Sequence, residues 1–188
     1  MPFLLLLGGA RSGKSALAVR IAAGSGAAVT FIATGEAGDQ EMAERIARHR
    51  AERPSAWATV EAPVAVLDAV AAAPAGDLLV VDCLTLWVSN LLLGGDRGGG
   101  IVAAAGDLAG ALAERAGGAV VVSNEVGLGI VPANRLARDF RDTLGSVNAA
   151  FAARAERTAL VVAGRVHELT ASSDFLEGIA WLPDSNRR

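Results

Sequence analysis

The sequence predicts an α/β domain of three layers around a mostly parallel central sheet, and three observations carry that reading. Short apolar runs alternate with helical patterns along most of the chain. The runs are continuously apolar and flanked by glycine or polar residues, as strands covered on both faces must be. The first run leads straight into Gly8-Gly9-Ala10-Arg11-Ser12-Gly13-Lys14-Ser15, a complete G-x-x-x-x-G-K-[ST] motif. The expected fold is therefore P-loop NTPase-like.

The elements follow in order. Phe3–Leu7 is an apolar strand, and Ser15–Ala23 a helix stopped by Gly24. Strand Val29–Ala33 is followed by helical patterns at Asp39–Glu52 and Pro63–Ala72. Strand Leu78–Asp82 feeds a helix over Leu84–Leu93. Gly94 to Gly100 is the one glycine-rich loop, expected to be flexible, before a helix over Ile101–Arg115. Strand Val120–Ser123 precedes a long helix, Pro132–Ala155, with Pro132 near its start and an apolar stripe of Leu136, Phe140, Leu144, Val147 and Phe151 at spacings of three and four. The last strand is Leu160–Ala163. Beyond Gly164 the alternation is lost, so residues 1–164 are expected to form the nucleotide-binding domain and 165–188 an extension or an edge element.

Composition narrows the function. The 188 residues suit one domain, and 52% hydrophobic residues supply an ample core. A net charge of −3 leaves no cationic footprint for nucleic acid. A single cysteine, Cys83, excludes an internal disulfide framework and fits a reducing compartment. The first apolar run is too short for a signal peptide, and no stretch approaches the roughly 20 apolar residues that span a bilayer. The expectation is a soluble, cytoplasmic protein without membrane insertion.

Lys14 is the only lysine, every other cation being arginine. A compact ammonium on a flexible stem can follow a phosphate through a reaction, whereas a planar guanidinium would have to fit inside the narrow loop. In such a loop the backbone N–H groups point at the phosphates, the helix N-terminus adds positive potential, and the Ser15 hydroxyl ligates magnesium. Leu78–Asp82 ends in a carboxylate, which beside a phosphate loop reads as the magnesium-side aspartate; alone it would read equally as a helix cap. Glu125, in Ser123-Asn124-Glu125-Val126-Gly127, is either an acceptor-side carboxylate or a solvated turn residue. The guanine-reading N-K-x-D of switch GTPases is absent, which disfavours a GTPase switch.

One of the two histidines lies in a polar cluster, Arg45-Ile46-Ala47-Arg48-His49-Arg50-Ala51-Glu52-Arg53-Pro54. On a helix Met42, Ile46 and His49 share a face, with Arg45 one turn before His49. Neighbouring arginines disfavour the charged imidazole, and a neutral imidazole can attack phosphorus while arginines neutralise the developing charge. Spacing alone leaves an interface or partly buried histidine open.

These motifs resemble a known family. The phosphate loop, Ile32-Ala33-Thr34, the segment from Arg45 to Pro54 with Trp57, Thr59 and Glu61, the run Val81-Asp82-Cys83-Leu84-Thr85 with Asn90, and Asn124 to Gly127 through Pro132, Asn134, Arg138, Phe140, Asp142, Gly145 and Asn148 look like the bifunctional adenosylcobinamide kinases/adenosylcobinamide-phosphate guanylyltransferases of cobalamin biosynthesis. The resemblance covers about residues 3 to 164. It implies phosphorylation of the aminopropanol hydroxyl of adenosylcobinamide by ATP or GTP, then transfer of GMP from GTP through a GMP-histidine intermediate, with release of pyrophosphate. It implies His49 as the guanylylated residue beside Lys14. Nucleotide contacts then fall on Gly8, Gly9, Ala10, Arg11, Ser12, Gly13, Lys14, Ser15, Ala33, Thr34, Gly35, Arg50, Ala51, Glu52, Arg53, Glu61 and Asp82, with magnesium on Ser15 and Asp82. A ring-like homo-oligomer, such as a trimer, is also implied. His167 lies outside the matched segments and is assigned no role, while Glu125 and Asn134 are acceptor-side candidates because they lie in a matched segment. The competing readings are a single-step P-loop kinase of another small alcohol and a non-catalytic regulatory ATPase.

Overall fold

The computed structural model describes residues 3–177, apart from the side chains of Arg45, Leu176 and Glu177. Its elements are β1 (Phe3–Leu7), α1 (Lys14–Gly24), β2 (Val29–Ala33), α2 (Gln40–Ala51), β3 (Ala58–Glu61), α3 (Val66–Ala72), β4 (Leu78–Asp82), α4 (Leu84–Leu93), α5 (Gly98–Glu114), β5 (Ala119–Val122), α6 (Arg135–Ala152), β6 (Arg157–Val162), β7 (Arg165–Leu169) and α7 (Ser172–Glu177). The strands form one seven-stranded sheet in the order β3-β2-β4-β5-β1-β6-β7. Every pairing is parallel except β6 with β7. The fold is the expected α/β architecture.

Why the strands read as unbroken apolar runs is plain from the two cores. On one face Phe3, Leu5, Leu79, Val81 and Val121 pack under helices α3 to α6. On the other Leu6, Phe31, Val80, Val120 and Val122 pack under Ala18 and Ala22 of α1. Successive residues of one strand thus enter opposite cores, so neither parity can be polar. No helix among the described residues is long and apolar enough to cross a membrane.

Several boundaries differ from the expectation. β3 escaped notice because it is a four-residue edge strand with a mostly exposed side-chain pattern. β6 begins at Arg157, three residues before the predicted start, because its pairing with β1 extends past the apolar run. Gly98 to Gly100, read as loop, form the first turn of α5. Their composition is explained in part by close packing, since a Cβ on Gly98 would stand 2.8 Å from the Thr143 hydroxyl of α6. α6 starts at Arg135, after Asn134 caps it by accepting from the Ala137 N–H at 2.7 Å, which leaves Pro132 outside the helix. In its stripe Leu144, Val147 and Phe151 are buried and Phe140 partly so, but Leu136 is exposed.

The segment beyond Gly164 does join the sheet as far as Leu169. Ala163 and Gly164 both have positive φ, 50° and 73°, and form the two-residue turn of the β6–β7 hairpin. Residues 178–188 of the expected extension lie outside the described residues.

Candidate nucleotide and phosphate-transfer site

Register assembles the site before any side chain is considered. Glu61 aligns with Ala33, Ala33 with Asp82, Asp82 with Val122 and Val122 with Leu6. The ends of β3, β2, β4, β5 and β1 therefore form one row at the C-terminal edge of the sheet, where ligands of open α/β sheets bind. Gly8 follows β1 directly and opens the glycine loop.

Backbone geometry in the loop demands its glycines. Gly8 has φ +152° and a Cβ there would stand 2.3 Å from the Val161 carbonyl oxygen, while Gly13 has φ +99°. Arg11 also has positive φ, 56°. The loop is braced by the hairpin turn, the Gly164 N–H donating to the Ser12 carbonyl at 2.9 Å. Lys14 is only 6% exposed, and its ammonium donates to the carbonyls of Gly8 and Gly9 at 2.9 and 2.8 Å. A charge held across the loop mouth faces whatever anion the loop takes.

Opposite the loop stands Asp82, with its carboxylate accepting a hydrogen bond from the Ser15 hydroxyl. Burial raises the pKa of Asp82, against the opposing effects of that hydrogen bond and of the charges of His49, Arg53 and Lys14. The His49 imidazole, on the last turn of α2, thus lies near enough for its charge to be felt at the carboxylate. Loop, Ser15 and Asp82 are brought together, and the charges of His49 and Arg53 act on the carboxylate.

A second group of predicted residues shares a cleft of about 340 Å³ beside the cradle, among them Ala33, Gly35, Arg50, Arg53 and Glu61. Arg50 pairs with Glu61 at 3.4 Å. The Arg53 guanidinium stacks 3.5 Å over the Phe31 ring, and burial lowers its pKa, Asp82 opposing. Ile46, Thr59 and Pro63 also line this cleft. Ala51 and Glu52 are exposed at the end of α2 and stand apart from the cleft lining.

Thr34 faces inward. Fully buried, it donates its hydroxyl to the Cys83 carbonyl at 2.7 Å and accepts from the Cys83 N–H at 2.8 Å. Asn90 donates to the carbonyls of Thr34 and Pro63 at 2.9 and 3.0 Å. A parallel network fixes the end of β5: the Ser123 hydroxyl donates to Asn148, Asn148 to the Asn124 carbonyl, and the Asn124 N–H to the Thr85 hydroxyl. These polar residues hold the strand ends in position. Thr85, Asn90 and Asn148 belong to the segments that carry the family resemblance, but nothing in their spacing assigns them this structural role.

Cys83 follows Asp82 through a cis peptide. Its thiol is pushed up to about 11, by burial first and by Asp82 second, so it stays protonated at neutral pH and is a poor nucleophile. Glu125 accepts from the Gly127 N–H, and Asn134 is the cap of α6. His167 sits exposed on edge strand β7.

For magnesium the donor set fits. A hydroxyl and a carboxylate, both hard oxygen donors, are already in contact beside the loop. Among the described residues no cluster of three or more His, Cys, Asp or Glu side chains could hold a metal. A cation at this place would take its remaining positions from phosphate oxygens and water, the usual arrangement for magnesium.

The family described as cobinamide kinase / cobinamide phosphate guanyltransferase matches residues 4–169. A bifunctional adenosylcobalamin biosynthesis protein of Pseudomonas aeruginosa, CobP, is 52% identical over 163 residues, which cover 85% of this chain and 92% of that protein. The CobU proteins of the same description are 40% identical in Escherichia coli and 41% in Salmonella typhimurium, covering 86% of this chain and 96% of each relative. Among solved structures, a prototypical ATPase of the type III secretion system of pathogenic bacteria superimposes with a TM-score of 0.50 at 15% identity, over 85% of this chain. The chain spans about half of that ATPase, 51%, and the likeness is one of fold.

Proposed function

The chain belongs to the cobinamide kinase / cobinamide phosphate guanyltransferase family, and from that premise we propose that it carries out two transfers on one triphosphate cradle. In the first, the aminopropanol hydroxyl of adenosylcobinamide attacks the γ-phosphorus of ATP or GTP, and the nucleoside diphosphate leaves. The loop N–H groups and Lys14 hold and neutralise the phosphates; positioning and charge suffice for this chemistry. In the second, a nitrogen of His49 attacks the α-phosphorus of GTP and pyrophosphate departs, leaving GMP on a P–N bond. A phosphate oxygen of adenosylcobinamide phosphate then attacks that phosphorus, and the imidazole leaves. Arg53, and Arg50 when drawn from Glu61, offset the growing charge. Magnesium would be held by Ser15 and Asp82, where it supplies charge neutralisation between phosphates.

The observation that supports this reading best is the closeness of His49 to Asp82, felt as a charge on its carboxylate. The cleft lined by Arg50, Arg53 and Glu61 supports the same reading, since Arg50 is the next residue after His49 on α2. The buried, protonated Cys83 offers no rival nucleophile. The same reading takes the protein to be a soluble cytoplasmic enzyme assembled as a ring-like homo-oligomer.

The test uses GTP labelled at the α- or the γ-phosphate. Protein-bound label that survives base and is released by acid, as a phosphoramidate is, should come from the α-label alone and be lost in His49→Ala, while that variant still phosphorylates adenosylcobinamide. An adduct that persists without His49, or one carrying the γ-label, contradicts the proposal.

A further inference from the structure

We propose that the loop from Val126 to Asn134, with Leu136 at the start of α6, is the surface on which the corrinoid acceptor seats, an assignment that rests on the kinase reading above. The loop leaves β5 at the edge of the sheet that carries the cradle, and the Glu125 N–H at its root donates to the Gly8 carbonyl at 3.1 Å. Its far end is pinned to α6: the Arg138 guanidinium donates to the carbonyls of Pro132 and Ala133 at 3.0 and 2.7 Å. A segment fixed at both ends nevertheless turns its large aliphatic side chains outward. Leu128 is 84% exposed, Ile130 96%, Val131 61% and Leu136 58%. Leu136 belongs to the helical stripe whose members from Leu144 onward are fully buried, so the pattern that buries α6 continues here into solvent.

Exposed aliphatic side chains gathered in so short a stretch mark a surface that another molecule covers. Three features say which molecule. The stretch from Val126 to Asn134 carries no charged side chain, and the one carboxylate at its root, Glu125, is turned back onto the Gly127 N–H. It is unsuited to a nucleotide and suited to the apolar edges of a large, amide-bearing macrocycle. Sheet order supplies the second: the cleft with Ala33 and Glu61 lies on the β2–β3 side of Asp82, the loop on the β5–β1 side. Nucleotide and acceptor would approach the phosphates from opposite flanks, as transfer to an acceptor hydroxyl requires. The third is continuity, since the loop begins where the cradle begins, at Gly8.

Leu128 and Ile130 are the two most exposed of these residues, so the double variant Leu128→Ser, Ile130→Ser tests the surface without opening the core. Kinase turnover is followed against adenosylcobinamide concentration, beside GTP affinity and molecular mass by light scattering. We expect KM for adenosylcobinamide to rise about tenfold or more, with kcat, GTP affinity and mass unchanged, and Ile130→Leu to keep the parental KM. An unchanged KM overturns the assignment. So does a fall in mass, which would make the loop a contact between copies of the chain, or an equal loss of GTP affinity. Failure of the parent protein to phosphorylate adenosylcobinamide would instead remove the kinase reading itself.

Discussion

Thr34→Val separates a structural clasp from a nucleotide contact. Thr34 stands in a segment expected to meet the nucleotide, yet its side chain is fully buried and its hydroxyl serves both polar groups of Cys83. Valine fills nearly the same volume and restores neither hydrogen bond. The Cys83 N–H would be left without a partner in an enclosed place, at about 1–3 kcal/mol, while the Cys83 carbonyl keeps the Trp87 N–H at 3.2 Å, so a net loss of about 1–3 kcal/mol is expected. In a domain of this size each kcal/mol lowers Tm by about 2–4 °C. Thermal unfolding followed by circular dichroism, without nucleotide, should therefore show a drop of about 2–12 °C, whereas Thr34→Ser should retain most of the parental stability. A valine variant that melts within a degree or two of the parent while losing GTP affinity would refute the clasp and return the hydroxyl to the nucleotide.

Three further perturbations follow from the same geometry. Lys14→Ala removes the charge held across the loop mouth and should lower both kinase turnover and guanylylation by about a hundredfold or more; retention of either within tenfold would contradict the cradle. Gly8→Ala forces a Cβ to 2.3 Å from the Val161 carbonyl at a backbone angle that L-residues avoid, so GTP affinity measured by calorimetry should collapse along with Tm, and near-normal binding would count against that geometry. For Asp82, burial raises the folded-state pKa above the ordinary 3.8, so the stability tied to this group is complete below that value and declines as pH climbs through the folded-state one. Asp82→Asn removes the decline: without metal it should melt above the parent at pH 7 and converge with it below about pH 4. Magnesium should narrow the gap by stabilising the parent, and a variant that melts lower at neutral pH would reverse the sign argued here.

What could be read from the chain followed how local each cause was. The phosphate loop is contiguous, its backbone needs are met by glycines within eight residues, and a strand and a helix flank it in the required order. Buried parallel strands announce themselves by unbroken apolarity, and β1, β2 and β4 fell on the expected residues. Edge strands obey other rules: β3 and β7 face solvent, so their partners across the sheet, rather than their own residues, define them. The hairpin turn Ala163–Gly164 carries only half of the usual Asn-Gly signal, which is why Gly164 looked like an end of the domain although it supports the loop through Ser12. Nor could spacing show that Thr34 and Cys83 bind one another, because their partnership depends on the pairing of Ala33 with Asp82 between β2 and β4.

A cradle that serves two reactions faces a geometric conflict, because attack at the γ-phosphorus and attack at the α-phosphorus come from different directions. One arrangement of side chains around one bound triphosphate cannot satisfy both unless the attacking groups are mounted on separate elements. The sheet order makes that separation inexpensive. β2 and β3 flank one side of Asp82 and bracket the segment with His49, which leaves β2 and returns into β3, while β5 and β1 flank the other and launch the aliphatic loop and the phosphate loop. Each attacking group can then be adjusted through its own connection, leaving Lys14, Ser15 and Asp82 in place. On the proposed reading, two chemistries on one fold require no second nucleotide site, only two segments that leave β2 and β5, on either side of β4, at the same edge of the sheet.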